Sequence, residues 1–556
     1  MSLTTARQFI ARPSLRRFRG GWSVAAGLVA AMVLLPVLGL ASQAALGSAG
    51  LWTHLLANVL PVALLDTLIL LGGVALVAGL FGVALAVLVT AFDFPGRGAL
   101  EWALLLPLAV PTYIIAYAYL DLLHPVGAFQ GAIRALLGYA SPRQFRLPDI
   151  RSMPGCIALL GLVLYPYVYL TTRILFLGQS ANLVDAARTL GTSRWTVFWR
   201  VSLPMARPAI AVGVSLALME ALNDIGASEF LGVRTLTVSI YTTWVTRSDL
   251  PGATQIALLL LFLVIALVSL ERWARRRQRF AAGRSNRPAS ARRVGGAAGI
   301  GLLLLGSVPV LFGFVVPALH LASEAWKRFQ FAGISPRLAG EAVTTLALAA
   351  SATALTLLLG LVVAYAGRLA PGRISAWSYR LATMGYAAPG TVVAIGVLIV
   401  LAPLDSWVDQ TARQGFGVAT GLLFMGSGAA LVYAYVVRFL AIAAGSIEAG
   451  LARIPLSLDG AARTLGRTAG QTLFGIHLPL SKAALAAGAL LVFVDCVKEL
   501  PASLLLRPLN VETFATHLYG EAARGTYEEA SMAALAIVAF GMLPVIVLAR
   551  VGRGRR

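Results

Sequence analysis

The sequence predicts an all-α integral membrane protein built from two tandem six-helix repeats, and three observations predict it. Hydrophobic residues make up 58% of the 556 and charged residues only 12%, which is more apolar surface than a soluble core of this length can hide. A bilayer core takes about 20 apolar residues per helix, and the chain supplies roughly twelve such runs. A polar segment also occurs twice: Asp185-Ala-Ala-Arg-Thr-Leu-Gly191 with Val201-Ser-Leu-Pro204, and Gly460-Ala-Ala-Arg-Thr-Leu-Gly466 with Ile476-His-Leu-Pro479.

An N-terminal arm carrying Arg7, Arg12, Arg16, Arg17 and Arg19 precedes a run without an Ala-x-Ala cleavage signature, so a retained first helix is expected. Spans follow at about 22–42, 60–92, 100–123, 155–178, 205–231 and 253–272. An arginine-rich linker comes next, and then spans near 297–321, 340–367, 377–402, 417–440, 481–500 and 528–550. Residues 1–280 thus form the first repeat with a polar loop at 182–204. Residues 281–296 are a basic linker, and residues 297–556 are the second repeat with its loop at 457–479.

The net charge of +22 sits at loops flanking spans with no basic-aromatic array, so it reads as topology and not as a nucleic-acid surface. The same bias puts the N-terminus, linker and C-terminus in the cytoplasm. Six spans per half satisfy this and place both repeated loops on that side. The external loop 124–152 runs against the bias, with Arg134, Arg143, Arg146 and Arg151 against Asp149.

Arg188 and Arg463 are 275 residues apart, as are Pro204 and Pro479. A parallel repeat of this kind implies a pseudo-two-fold axis along the membrane normal with a path between the halves. Each repeated loop is expected to hold a short helix. Its alanines allow close approach, Gly191 or Gly466 ends a turn in the left-handed region, and Pro204 or Pro479 opens the next helix.

The same offset pairs Glu220 with Asp495 and Asp224 with Glu499. Each half therefore carries two carboxylates at i and i+4 on one helix face. Acids inside a membrane are costly and face polar cavities, which makes these four pathway candidates. The alternative is a structural ion pair, since Lys498 lies within reach of Asp495. Pro107, Pro111 and Pro389 interrupt apolar runs and are expected to kink or break helices. Cys156 and Cys496 fall inside apolar runs and read as packing residues.

Several function classes are excluded on motif grounds. None of the three lysines, Lys327, Lys482 and Lys498, sits in Gly-Lys-Ser/Thr, so the chain has no P-loop. The five histidines form no His-x-x-x-His or Glu-x-x-His pair, and no local signature of a catalytic triad appears. No cofactor is expected on this chain.

The repeated motif, acidic-Ala-Ala, three residues, Gly, nine residues, Ile/Val-x-Leu-Pro, resembles the Glu-Ala-Ala loop of bacterial ABC importer permeases. The stretches Asn223 to Tyr241, Asp495-Cys-Val-Lys-Glu-Leu-Pro-Ala-Ser503, Leu106-Pro-Leu-Ala-Val-Pro111 and Ala388 to Gly396 are similar to iron(III) permeases of that class. The resemblance implies a type I importer permease, here two repeats fused, in the bacterial inner membrane. It implies that Asp185, Ala186, Ala187, Gly191 and Pro204, with Asp459, Ala461, Ala462, Gly466 and Pro479, form the coupling helices that contact a cytoplasmic ATPase dimer. ATP and magnesium are then bound by that dimer, and a periplasmic ferric-binding protein delivers the cargo. Glu220, Asp224, Asp495, Lys498 and Glu499 fall on the pathway. One departure stands out: Gly460 occupies the second loop's acidic position, with Asp459 one residue earlier. Thiamine, phosphonate or another small solute is an alternative cargo, and an ion-coupled secondary transporter of twelve spans is the alternative class.

Overall fold

The computed structural model describes residues 14–45, 51–178, 191–276 and 291–553. Among these, eleven helices are long and apolar enough to cross a membrane, and a bent pair supplies a twelfth crossing. In the first half α1 spans Ser14–Ala45 and α2 Leu60–Ala91. The bent pair is α3 (Arg97–Ala103) and α4 (Thr112–Leu122), followed by the short helix α5 (Ala128–Leu137) and by α6 (Met153–Gly178). Helix α7 (Leu203–Asn223) gives way to the short α8 (Gly226–Phe230) and α9 (Leu236–Tyr241). Then α10 (Leu250–Arg276) returns.

The second half repeats this plan. A first span is made of α11 (Gly296–Val310) and α12 (Val316–Ala332), and α13 (Pro336–Leu369), α14 (Arg373–Ala382), α15 (Gly390–Phe416) and α16 (Ala429–Ala452) come next. Helix α17 (Leu456–Thr464) lies in the second repeated loop. It is followed by α18 (Leu478–Val497), the short α19 (Pro501–Leu506), α20 (Phe514–Arg524) and α21 (Tyr527–Arg553).

Four expected spans need correcting. The run 100–123 is not one straight helix: a 3-10 turn at Leu106–Ala109 and Pro111 at the cap of α4 break it, and its two parts meet at 89°. The run 377–402 is divided in the same way, because α14 ends at Ala382 and Pro389 caps a new helix that runs on to Phe416. The next span accordingly begins at Ala429 and not near 417. Proline has no N–H to give the preceding turn and clashes with it, which divides these two runs, whereas Pro36, Pro166, Pro403 and Pro544 lie inside helices that continue through them. The span expected at 205–231 ends at Asn223 for a different reason, taken up with the site below.

The duplication is visible atom for atom. The N–H of Leu236 donates to Thr67 Oγ1 at 2.9 Å, and the N–H of Phe514 donates to Thr345 Oγ1 at 3.0 Å. Within each half, helices approach through small residues: a Cβ added at Gly82 on α2 would come within 2.9 Å of the Tyr169 backbone N on α6.

The halves are nonetheless not separate bodies. Helix α1 packs on α13, α14 and α15 of the second half, while α11 and α12 pack on α2, α3 and α4 of the first half and on α21. Each half therefore lends its opening span to the other. Two short strands, β1 (Phe92–Asp93) and β2 (Arg292–Arg293), pair in parallel and fasten the end of the linker to the turn after α2.

Candidate functional site

Helices α7 and α18 end at positions that the repeat makes equivalent, and their last turns face one cavity between the halves. Glu220, Asn223 and Asp224 line it from one side; Asp495, Lys498 and Glu499 line it from the other. Tyr113, Tyr167, Tyr386 and Arg438 close its walls. All five residues expected on a pathway are thus brought together.

The structure divides their roles. Asp224 accepts from the N–H groups of Ala227 at 2.7 Å and Ser228 at 3.3 Å and from the Thr112 hydroxyl. Glu499 accepts from the N–H groups of Ala502 at 2.9 Å and Ser503 at 3.1 Å. Both therefore cap the short helices α8 and α19, where free backbone donors attract a negative group. This is why the span does not run to residue 231: the acid at its end starts a new helix. Arg438 Nη1 also lies 2.6 Å from Glu499 Oε1, and both side chains are buried.

Glu220 and Asp495 are half-buried and turned to the cavity. Lys498 Nζ sits 2.8 Å from Asp495 Oδ1, so the ion-pair alternative holds for this acid. The Tyr386 hydroxyl donates to Glu220 Oε1 at 3.5 Å. The halves also bond directly across the cavity. The Gly390 N–H at the start of α15 donates to Asn223 Oδ1 at 2.7 Å, and the Tyr113 hydroxyl donates to the Lys498 carbonyl at 3.2 Å. Four carboxylates face two cations here, which leaves the cavity an excess of two negative charges if all are ionised. Cys156 and Cys496 are buried free thiols, in keeping with packing roles.

The second repeated loop forms the expected helix, α17. Its end is closed by Gly466 at φ +76°, with the Arg467 N–H bonded to the Ala462 carbonyl at 2.9 Å and the Gly466 N–H to Arg463 at 3.0 Å. That is the left-handed closure a glycine makes at no steric cost. Leu456, Leu465, Gly460, Ala461 and Arg463 are exposed on this helix, and Pro479 opens α18. In the first loop Gly191 has φ +80° and Pro204 opens α7, whereas Asp185, Ala186 and Ala187 lie outside the described residues.

Two residues expected at a partner contact face the other way. Ala462 and Asp459 are buried. Arg368 Nη2 lies 2.5 Å from Asp459 Oδ2, His477 Nε2 lies 3.3 Å from Oδ1, and Arg368 also donates to the Ile454 carbonyl at 3.0 Å. Burial alone pushes the Asp459 carboxyl up, but the Arg368 guanidinium together with His477 outweighs it and holds the group below its ordinary value. A carboxylate at 459 is thus a clamp on the body of the protein. The neighbouring Gly460 is on the open side, with nothing near the place of a Cβ.

Sequence reasoning missed Arg438, Tyr386 and the Arg368–Asp459–His477 cluster. Arg438 had a usable signal, a lone arginine within an apolar run. The tyrosines and the cluster are set by which helices meet and had none. In the basic loop 124–152, Arg134 is buried and donates to the Pro125 carbonyl at 2.8 Å, so one of its four cations holds the loop's own fold.

The sequence profile described as binding-protein-dependent transport system inner membrane component matches the chain twice, over residues 78–280 and 356–554. The chain is 23% identical over 499 residues to the Fe(3+)-transport system permease protein FbpB 2 of Haemophilus influenzae, covering 87% of this chain and 88% of that protein. It is 30% identical over 210 residues to the molybdenum transport system permease protein ModB of Escherichia coli, covering 37% of this chain and 88% of that protein. It is also 30% identical over 223 residues to the sulfate transport system permease protein CysT of Escherichia coli, covering 39% and 77%.

Proposed function

The chain belongs to the family of binding-protein-dependent transport system inner membrane components, and from that membership we propose that this two-repeat ABC importer permease moves ferric iron into the cytoplasm. The observation that carries the cargo is the cavity itself. Glu220, Asp224, Asp495 and Glu499 converge there from both repeats, and Arg438 and Lys498 are each taken up by one of those acids. Carboxylate oxygens are hard ligands suited to a hard cation. Similarity to an Fe(3+) permease over most of both chains supports the same cargo.

In this reading a periplasmic ferric-binding protein delivers iron to the face opposite α17. A cytoplasmic ATPase dimer, which binds ATP and magnesium, docks on α17 and on the first loop around residues 182–204. The termini and linker lie on the ATPase side. Closure of the dimer moves the loops, and because α7 and α18 follow directly from them, the cavity between the halves opens alternately to each side. Glu220 and Asp495 then offer passing cargo weak, exchangeable contacts, while Asp224 and Glu499 hold the short helices that shape the wall.

A second reading, a tetrahedral oxyanion, draws on Arg438 and Lys498 in the cavity and on the molybdenum and sulfate permeases among the relatives. Proteoliposomes carrying the permease, its ATPase and its binding protein separate the two. ATP-dependent accumulation of radioactive iron, without accumulation of molybdate or sulfate, is the expected result. Uptake of an oxyanion in place of iron overturns the cargo assignment, and uptake that needs no ATPase but collapses with an uncoupler overturns the ABC mechanism.

A further inference from the structure

Helix α13 has its two ends in different chemistry. Near one end Arg368 clamps α17. Glu341 lies near the other, about 40 Å away by helical rise, at the opposite membrane face. Glu341 meets Glu512, from the segment between α19 and α20, and His517 on α20. His517 Nδ1 is 3.0 Å from Glu341 Oε1 and 3.7 Å from Glu512 Oε2, and one donor atom from each of the three lies within 4.8 Å of the others. None of the three lines the central cavity.

One detail sets this cluster apart from an ordinary ion-pair network. Glu341 is 7% exposed, and its Oε2 is buried with no hydrogen-bond partner. A buried, unpartnered carboxylate oxygen is costly and calls for a ligand. Arg507 Nη1 takes Glu512 Oε1 at 2.6 Å, leaving Glu512 Oε2 to the cluster, and Arg524 takes Glu521 at 2.6 Å. A second cluster at the same face, Asp121, His320 and Glu324, lacks such an oxygen. Lys327 neutralises Glu324 at 2.6 Å, and none of its carboxylate oxygens is left buried without a partner.

We propose that Glu341, Glu512 and His517 bind a divalent first-row transition-metal ion of the Zn²⁺, Mn²⁺ or Fe²⁺ class. One imidazole nitrogen with two carboxylates is a donor set that such ions take. With metal–ligand bonds of about 2.1 Å, an ion bridges donors separated by roughly 3–4 Å, so rotamer adjustments at Glu512 complete the site. The ion satisfies Glu341 Oε2 and staples the outer end of α13 to the chain that runs from α19 into α20. The site is independent of what the central cavity carries.

The test uses purified, tag-free, full-length protein stripped with a chelator and titrated with Co²⁺, followed by absorption, and with Zn²⁺, followed by calorimetry and thermal unfolding. One equivalent of ion with a rise in unfolding temperature is expected. Glu341→Gln and His517→Gln should weaken binding at least tenfold and remove the thermal shift, while Glu324→Gln leaves both unchanged. Should Glu341→Gln fail to insert, Glu512→Gln, at the more exposed rim, carries the same expectation. Absence of binding to the unsubstituted protein, or binding unaltered in the variants that fold, overturns the assignment.

Discussion

At the scale of single residues, the cavity teaches that equivalent carboxylates need not do equivalent work. The repeat offset identifies Glu220, Asp224, Asp495 and Glu499 from sequence, because identical spacing puts identical helix faces toward one axis. It does not tell which of them caps a helix, since that depends on where the helix stops. Removing the positive partner of a buried acid is the more damaging change: Arg438→Met leaves Glu499 buried with its neutral donors, Ala502 and Ser503, and no cation of its own, and a loss of roughly 3–5 kcal/mol is expected, read as a lower unfolding temperature in detergent. Adding Glu499→Gln should restore part of that loss, which a double-mutant cycle measures. Glu220→Gln combined with Asp495→Asn should leave assembly intact and slow ATP-driven uptake on the order of tenfold, the equivalent of about 1.4 kcal/mol; undiminished uptake returns both acids to a structural role.

At the scale of elements, the short helix α17 carries the argument. Its existence and its glycine closure were legible in the repeated heptapeptide, but the inward turn of Asp459 was not, because Arg368 is 91 residues away in sequence. Gly466→Val forces a branched side chain into the left-handed region at a cost of about 1–2 kcal/mol. With Gly191→Val it should abolish co-purification with the ATPase while membrane insertion persists. Asp459→Asn should leave that association in place yet weaken the stimulation of ATP hydrolysis by loaded binding protein, since the handle stays but its tie to α13 loosens. The pH dependence of the tie follows from the depressed carboxyl of Asp459. Its contribution is present above the unfolded value of about 3.9 and is lost as pH falls through the lower folded value, so the clamp stays closed through neutral and mildly acidic conditions. The broken span at Pro107 and Pro111 belongs to this scale as well: the prolines announced an interruption, and only the packing of neighbours fixed its angle.

At the scale of the molecule, the duplication and the count of crossings were legible, and the exchange of opening spans was not. Hydropathy states that a segment prefers lipid or protein, and says nothing of which neighbour it packs against. The exchange has a measurable result. Because α1 and the α11–α12 span each embrace the other half, two polypeptides divided within 281–290 and co-expressed should assemble into an active permease, whereas either alone should be degraded. Assembly failing in the co-expressed pair, with each fragment inserted, speaks against the exchanged packing as the main bond between the halves. Gly82→Leu tests the packing within a half: with the Tyr169 backbone in the way, a penalty of about 1–3 kcal/mol or more is expected as lost thermal stability.

The three residues of the clamp on α17 are not repeated at the equivalent positions of the first half. Gly82 and Gly360, and Thr67 and Thr345, set the register between the two copies of this helix; in that register Arg368 corresponds to Thr90, and across the loops His477 corresponds to Ser202. A permease assembled from two identical chains is obliged to carry every alteration on both sides. Joined in one gene product, the halves are released from that obligation, and here the residues that tie the second loop to its helix have no counterparts in the first. An ATPase that closes symmetrically beneath such a pair grips two differently built handles.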